Sequence, residues 1–140
     1  MSIFVDSNYL IALSNPNDSL HDIAIRLSDK LLKENTNLFI SNYVFLEIVT
    51  VLTQRVNKEI ALITGTELLQ NRQVEIIHIT KNLQQKSWEI FKMINKKNIS
   101  FVDCSCIAVM EFENISTLLS FDKTDFIPLQ KLLRFDFYYD

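Results

Sequence analysis

Short apolar runs of strand character alternate with longer segments of helical period along this chain, and that alternation restricts its fold more than any other feature. Residues 3–5, 38–41, 74–79 and 117–121 read as short strands set between polar turn residues. Residues 9–13 read as the start of a buried helix, and Pro16-Asn17-Asp18-Ser19 as a turn. The segment 20–34 places Ile23, Leu27, Leu31 and Leu32 at helical spacing with polar residues between them, as an amphipathic surface helix does. Helices are predicted over 43–56, over 59–69 with the only glycine, Gly65, over 83–94 through Trp88, Phe91 and Ile94, and over 101–112. Such alternation predicts a three-layer α/β domain, its mainly parallel central sheet covered by helices on both faces. A terminal strand over 132–139 would put Phe135, Phe137 and Tyr139 on one face.

With 140 residues and 48% of them hydrophobic, the chain suits a single domain, 1–140, with a full core. Its 14 basic and 17 acidic residues leave a formal net charge of −3, so bulk charge does not advertise a nucleic-acid binder, and only a local basic patch would. No basic leader with an apolar stretch opens the chain, and no apolar run reaches the ~18 residues that span a bilayer. The expectation is a soluble, cytoplasmic protein with no membrane partner. Cys104 and Cys106, two apart on a predicted helix, point to different faces, which argues against a disulfide or shared zinc site and for reduced core thiols.

Four acids interrupt apolar surroundings: Asp6 after IFV, Glu47 in YVFLEIVTVL, Asp103 in ISFVDCSCIAVM, and Asp122 closing STLLSFD. Each has a plain structural use. Asp6 suits an N-cap for the helix that follows, Asp103 suits the acid of a capping box with Ser100, and Asp122 suits the start of a turn. Glu47, between Leu46 and Ile48 on a helix read as apolar nearly all round, has no such use. In an open parallel sheet ligands bind beyond the carboxyl ends of the strands, where Asp6 and Asp122 lie, and right-handed crossovers bring Glu47 and Asp103 to the same crevice.

Four carboxylates there repel by about 3 kcal/mol per pair at ~5 Å and an effective dielectric near ~20, a penalty that a divalent cation removes. With oxygen ligands only, the set selects Mg²⁺ or Mn²⁺. His21 and His78, on separate elements, are expected to stand outside it as a solvated helix residue and a strand residue.

In order, FVDSNYLIAL with Asp6, SNYVFLEIVTVL with Glu47, ISFVDCSCIAVM with Asp103 and LLSFDKTDF with Asp122 resemble the signatures of the PIN (PilT N-terminus) domain over almost the whole chain. The resemblance is strongest to the short single-domain ribonucleases of the VapC toxin type. It implies a metal-dependent endoribonuclease whose acids hold one or two Mg²⁺ or Mn²⁺ ions, acting on RNA and pairing with an antitoxin or with a second copy as a homodimer. Within DKTDF, Asp125 competes with Asp122 for the fourth place, and Ser120-Phe121-Asp122 resembles the family's S/T-x-D at a strand end. Ser7, Asn8 and Ser120 are expected to support the ligating acids by hydrogen bonds, Ser7 serving equally well as a helix cap.

Water activated at such ions would attack the phosphodiester, and no protein nucleophile is needed. That agrees with a chain lacking a Gly-x-Ser-x-Gly elbow and a Gly-rich phosphate loop. Lys96, Lys97 and Lys123 are the candidate substrate-binding cations by position, each also readable as an ordinary solvated lysine. Two other functions compete. An aspartyl phosphotransferase with Asp6 as nucleophile wants a second acid where Asn8 stands, and a non-catalytic RNA- or protein-binding scaffold would have lost an acid. The aromatic tail, with Phe135, Phe137, Tyr138 and Tyr139, suggests an interface.

Overall fold

The computed structural model describes residues 1–138. In chain order it runs β1 (Ser2–Val5), α1 (Ser7–Ser14), α2 (His21–Lys33), β2 (Asn37–Ser41), α3 (Asn42–Arg55), α4 (Lys58–Gln70) and β3 (Val74–Ile77). It continues through α5 (Lys81–Met93), α6 (Phe101–Glu113), β4 (Thr117–Leu119), α7 (Lys123–Phe126), a 3-10 turn (Ile127–Lys131) and β5 (Asp136–Phe137). The five strands form one sheet in the order β3-β2-β1-β4-β5, every pair parallel. Right-handed crossovers then put α1 to α4 on one face and α5 and α6 on the other, and the packing agrees: α1 lies on α2 and α3, α3 on α4, and α5 on α6.

The central strands are apolar because helices cover both their faces. Ile3, Phe4 and Val5 of β1, Ile40 of β2, and Leu118 and Leu119 of β4 are all fully buried. Polar side chains end two strands earlier than their apolar sequences suggest. The Ile79 amide donates to Asn42 Oδ1 at 2.8 Å, so β3 stops at Ile77 and not at residue 79. The Phe121 amide donates to Asn8 Oδ1 at 2.9 Å, so β4 stops at Leu119 and not at residue 121.

Two expectations are modified. The terminal strand is two residues long rather than spanning 132–139: β5 pairs with β4 through Thr117–Asp136 and Leu118–Phe137, Phe135 is 3% exposed, and Phe137 and Tyr138 pack partly buried against the core. Phe135 and Phe137 meet edge to face at 5.6 Å, while Tyr139 lies outside the described residues. Nor is α3 buried all round, since Leu46 is 65% exposed and Glu47 half-buried, which puts Glu47 at the rim of the core. No helix among the described residues is long and apolar enough to cross a membrane.

Candidate active site

The carboxyl ends of β1 and β4 are tied together by side chains. The Asp6 amide donates to the Leu119 carbonyl at 2.9 Å, continuing the pairing by one residue beyond β1. Asp6 caps α1, its Oδ1 accepting from the Ser7 amide at 2.8 Å, while Oδ2 accepts from Ser120 Oγ at 2.9 Å and Asn8 Nδ2 at 3.2 Å. Ser120 Oγ in turn accepts from the Asp122 amide at 3.0 Å. Ser7, Asn8 and Ser120 thus all touch an acid or its backbone.

Hydrogen bonds of this kind favour a charged carboxylate. Asp6 is nevertheless 4% exposed, and its pKa is pushed up to about 7, first by burial, then by the charge of Asp103, and further by Glu47. Asp103 forms the capping box with Ser100, receiving the Ser100 amide at 3.0 Å and donating its own to Ser100 Oγ at 3.1 Å. Its pKa rises to about 6 through burial and the charges of Glu47 and Asp125, against the lowering effect of Ser100. Capping and membership of an acidic cluster therefore coexist in Asp6 and Asp103. Glu47 accepts from the Ser7 hydroxyl.

Beyond Ser120 the chain that leaves β4 is looser. Asp122 is exposed and stands at the N-cap position of α7 without a side-chain capping bond. Asp125 is half-buried, accepts from Asn98 Nδ2, and after Glu47 is a second acid whose charge raises Asp103. Lys96 and Lys97 are exposed on the loop ahead of α6. Lys123 is turned toward the last strand, its Nζ 5.6 Å from the centre of the Phe137 ring, within cation–π range. His21 Nδ1 is engaged with the Ala12 carbonyl at 2.8 Å and His78 is exposed. Cys104 and Cys106 are buried free thiols, Cys106 raised well above its usual range by burial and by Asp6, Asp103 and Glu47.

The ion pairs Lys86–Glu111 and Lys92–Glu89 lie away from these acids. An all-oxygen donor set in which the acids raise one another fits a hard divalent cation in chemistry. The arrangement is open, however, and no group of three or more His, Cys, Asp or Glu among the described residues stands ready to hold an ion. Sequence reasoning missed Asn98, which holds Asp125 by an amide on a different loop. It also missed the rings of Tyr43 and Phe101, which meet at 6.3 Å beside Glu47 and Val102. Their only signal was position: Tyr43 is one helical turn before Glu47, and Phe101 two residues before Asp103.

A parallel α/β sheet with carboxylates gathered at the ends of its inner strands defines a class, and comparison with known proteins specifies it. The PIN domain family model matches residues 3–129, and the chain belongs to that family. A relative, the 23S rRNA-specific endonuclease VapC20 of Mycobacterium tuberculosis, is 30% identical over 120 residues, covering 86% of this chain and 88% of the relative. The crystal structure of that toxin, described as cleaving the sarcin–ricin loop, superposes with a TM-score of 0.76 over 86% of this chain and 89% of its own. The VapBC2 complex of Rickettsia felis, bound to a promoter DNA fragment, shares the fold with a TM-score of 0.69 at 19% identity, covering 98% of this chain and 97% of the matched one. VapBC-1 of nontypeable Haemophilus influenzae does so with a TM-score of 0.64 at 18% identity, covering 98% and 96%.

Proposed function

We propose that this protein is a divalent-metal-dependent endoribonuclease, the toxin of a toxin–antitoxin pair, with ribosomal RNA as its substrate class. The observation that carries the metal requirement is the Asp6 carboxylate, held by three donors yet raised first by burial and then by the charges of Asp103 and Glu47. Asp6, Glu47 and Asp103 hold one or two Mg²⁺ or Mn²⁺ ions, and Asp122 completes the set. When bound, such an ion supplies an activated water and stabilises the departing oxygen of a phosphodiester.

The chain's own residues do the rest. Ser120 from the end of β4 and Asn8 from α1 fix the Asp6 carboxylate, and Ser7 orients Glu47. Lys96 and Lys97 offset the negative field on the approach of the substrate backbone. Lys123, held over Phe137, packs the last strand and has a smaller share in binding. Against a phosphotransferase stands Asn8, whose amide donates to Asp6 where that chemistry wants a second acid.

The VapC20 likeness supports the substrate class, and the folds shared with VapBC complexes support an antitoxin partner. We propose the groove between α1, α2 and α4, lined by Leu10, Leu13, Ile25, Leu32 and Ile63, as its seat. A homodimer is proposed as well, and a cytoplasmic site of action agrees with both partners. Calorimetric titration with Mn²⁺ tests the core of the reading: the parent binds, Asp6→Asn and Asp103→Asn bind at least ~10-fold more weakly, and equal binding by all three overturns it.

A further inference from the structure

Each of two cluster acids is preceded by an aromatic ring on its own helix, Tyr43 before Glu47 on α3 and Phe101 before Asp103 on α6. The two rings lie 6.3 Å apart and tilted by 39°, and Phe101 continues into Phe91 at 5.8 Å and Trp88 at 6.2 Å. Beside them opens a groove of about 460 Å³ lined by Tyr43, Leu46, Glu47, Val51, Phe101 and Val102. Its lining is mostly apolar, with Thr50 and Glu47 as polar members, and Glu47 is the acid it shares with the crevice. Trp88 is 47% exposed at the far end of the ring series. Exposed Lys96 and Lys97 sit on the loop that delivers Phe101.

A nucleotide has the two chemistries this surface offers to match, an anionic phosphate and a flat aromatic face. Lysines and bound cations suit the first, and rings suit the second without regard to base identity. Duplex bases keep their faces stacked on one another, so only an unpaired base can use such a wall. We infer that this groove seats an unpaired nucleobase of the RNA strand, stacked on Tyr43 or Phe101, next to the phosphate held at the acids. The inference rests on the ribonuclease reading and adds to it a subsite that selects an unpaired base over a paired one.

The test uses the full chain and short single-stranded RNAs in which one base at a time is replaced by 2-aminopurine or removed, with binding read in Ca²⁺ and cleavage in Mn²⁺. One position is expected to show quenched fluorescence. Removing the base there weakens binding by the parent roughly 5- to 100-fold. Tyr43→Leu or Phe101→Leu abolishes the quench and the sensitivity to base removal, while Tyr43→Phe and Phe101→Tyr retain both. If the parent binds and cuts RNA but losses from base and ring simply add, the subsite is overturned and the ribonuclease reading stands. If the parent neither binds nor cuts RNA, both fall. Leucine variants that change sedimentation from dimer to monomer without altering base dependence make the rings an interface between copies and overturn the subsite. Should the leucine variants fail to fold, the parent alone decides: no position more than about twofold sensitive to base removal overturns it.

Discussion

The Ser7 hydroxyl donates to the Glu47 carboxylate, joining the first turn of α1 to the second turn of α3 across 40 residues of sequence. Because the Ser7 amide also donates to Asp6, one residue aligns two acids. Ser7→Ala keeps the amide and removes the hydroxyl. It is expected to leave the fold intact and to lower Mn²⁺ affinity about 10-fold, the usual cost of removing an orienting partner, with Ser7→Thr restoring part of it. Unchanged affinity in calorimetry would show that Glu47 is not oriented this way.

Without metal, stability should fall as pH rises. Asp6 and Asp103 have folded pKa values of about 7 and about 6, both above the ordinary value of 3.8. The folded state therefore binds more protons than the unfolded state between about pH 4 and 7. Their contribution is fully present below the lower limit and lost by the upper one. For Asp6 the loss is on the order of 4 kcal/mol. Glu47→Gln removes a charge that raises both acids, so it should raise the melting temperature in chelator at pH 8, and parent protein with Mn²⁺ should do the same. Asp6→Asn is a poorer probe, since Oδ2 accepts from both Ser120 and Asn8. A flat melting temperature across this window would contradict the electrostatic account.

The fourth acid is separable by mutation. Asp122 is linked to Asp6 through Ser120 Oγ, whereas Asp125 is held by Asn98 and acts on Asp103. Asp122→Asn should lower Mn²⁺ affinity and RNA cleavage by at least about 10-fold, and Asp125→Asn by less. The reverse order, read from the same titration and rate measurements, would assign the fourth position to Asp125.

Phe135→Ala tests the corrected view of the tail. A buried ring on the sheet-edge segment should cost about 3–5 kcal/mol when truncated, visible as a lower denaturant midpoint. An unchanged midpoint with altered sedimentation would return the tail to the role of an interface.

The alternation of strand and helix was legible because β1, β2 and β4 are covered on both faces and their sequences are correspondingly apolar. The crevice was legible for the same reason, as Asp6 and Asp103 stand out against buried neighbours. Environments set by distant contacts were not legible. Glu47 looked enclosed because its neighbours in sequence are apolar, yet Leu46 points to solvent. The ends of β3 and β4 depended on Asn42 and Asn8 capturing amides far along the chain. The short α7 and the 3-10 turn containing Pro128 are too brief for periodicity to show. Asp125 on α7 acts on Asp103 on α6, and spacing carries no information about that approach.

Cleavage of RNA by the purified protein tests the central claim most directly. Single-stranded RNA and, separately, the isolated large-subunit ribosomal RNA are incubated with Mg²⁺ or Mn²⁺, with excess chelator, and with the Asp103→Asn variant. The account predicts endonucleolytic cuts with either metal, none in chelator, recovery when metal is restored, and loss of at least about 100-fold in rate for the variant. Cleavage that persists in chelator, or a protein that binds Mn²⁺ through these acids yet leaves every RNA intact, would contradict it.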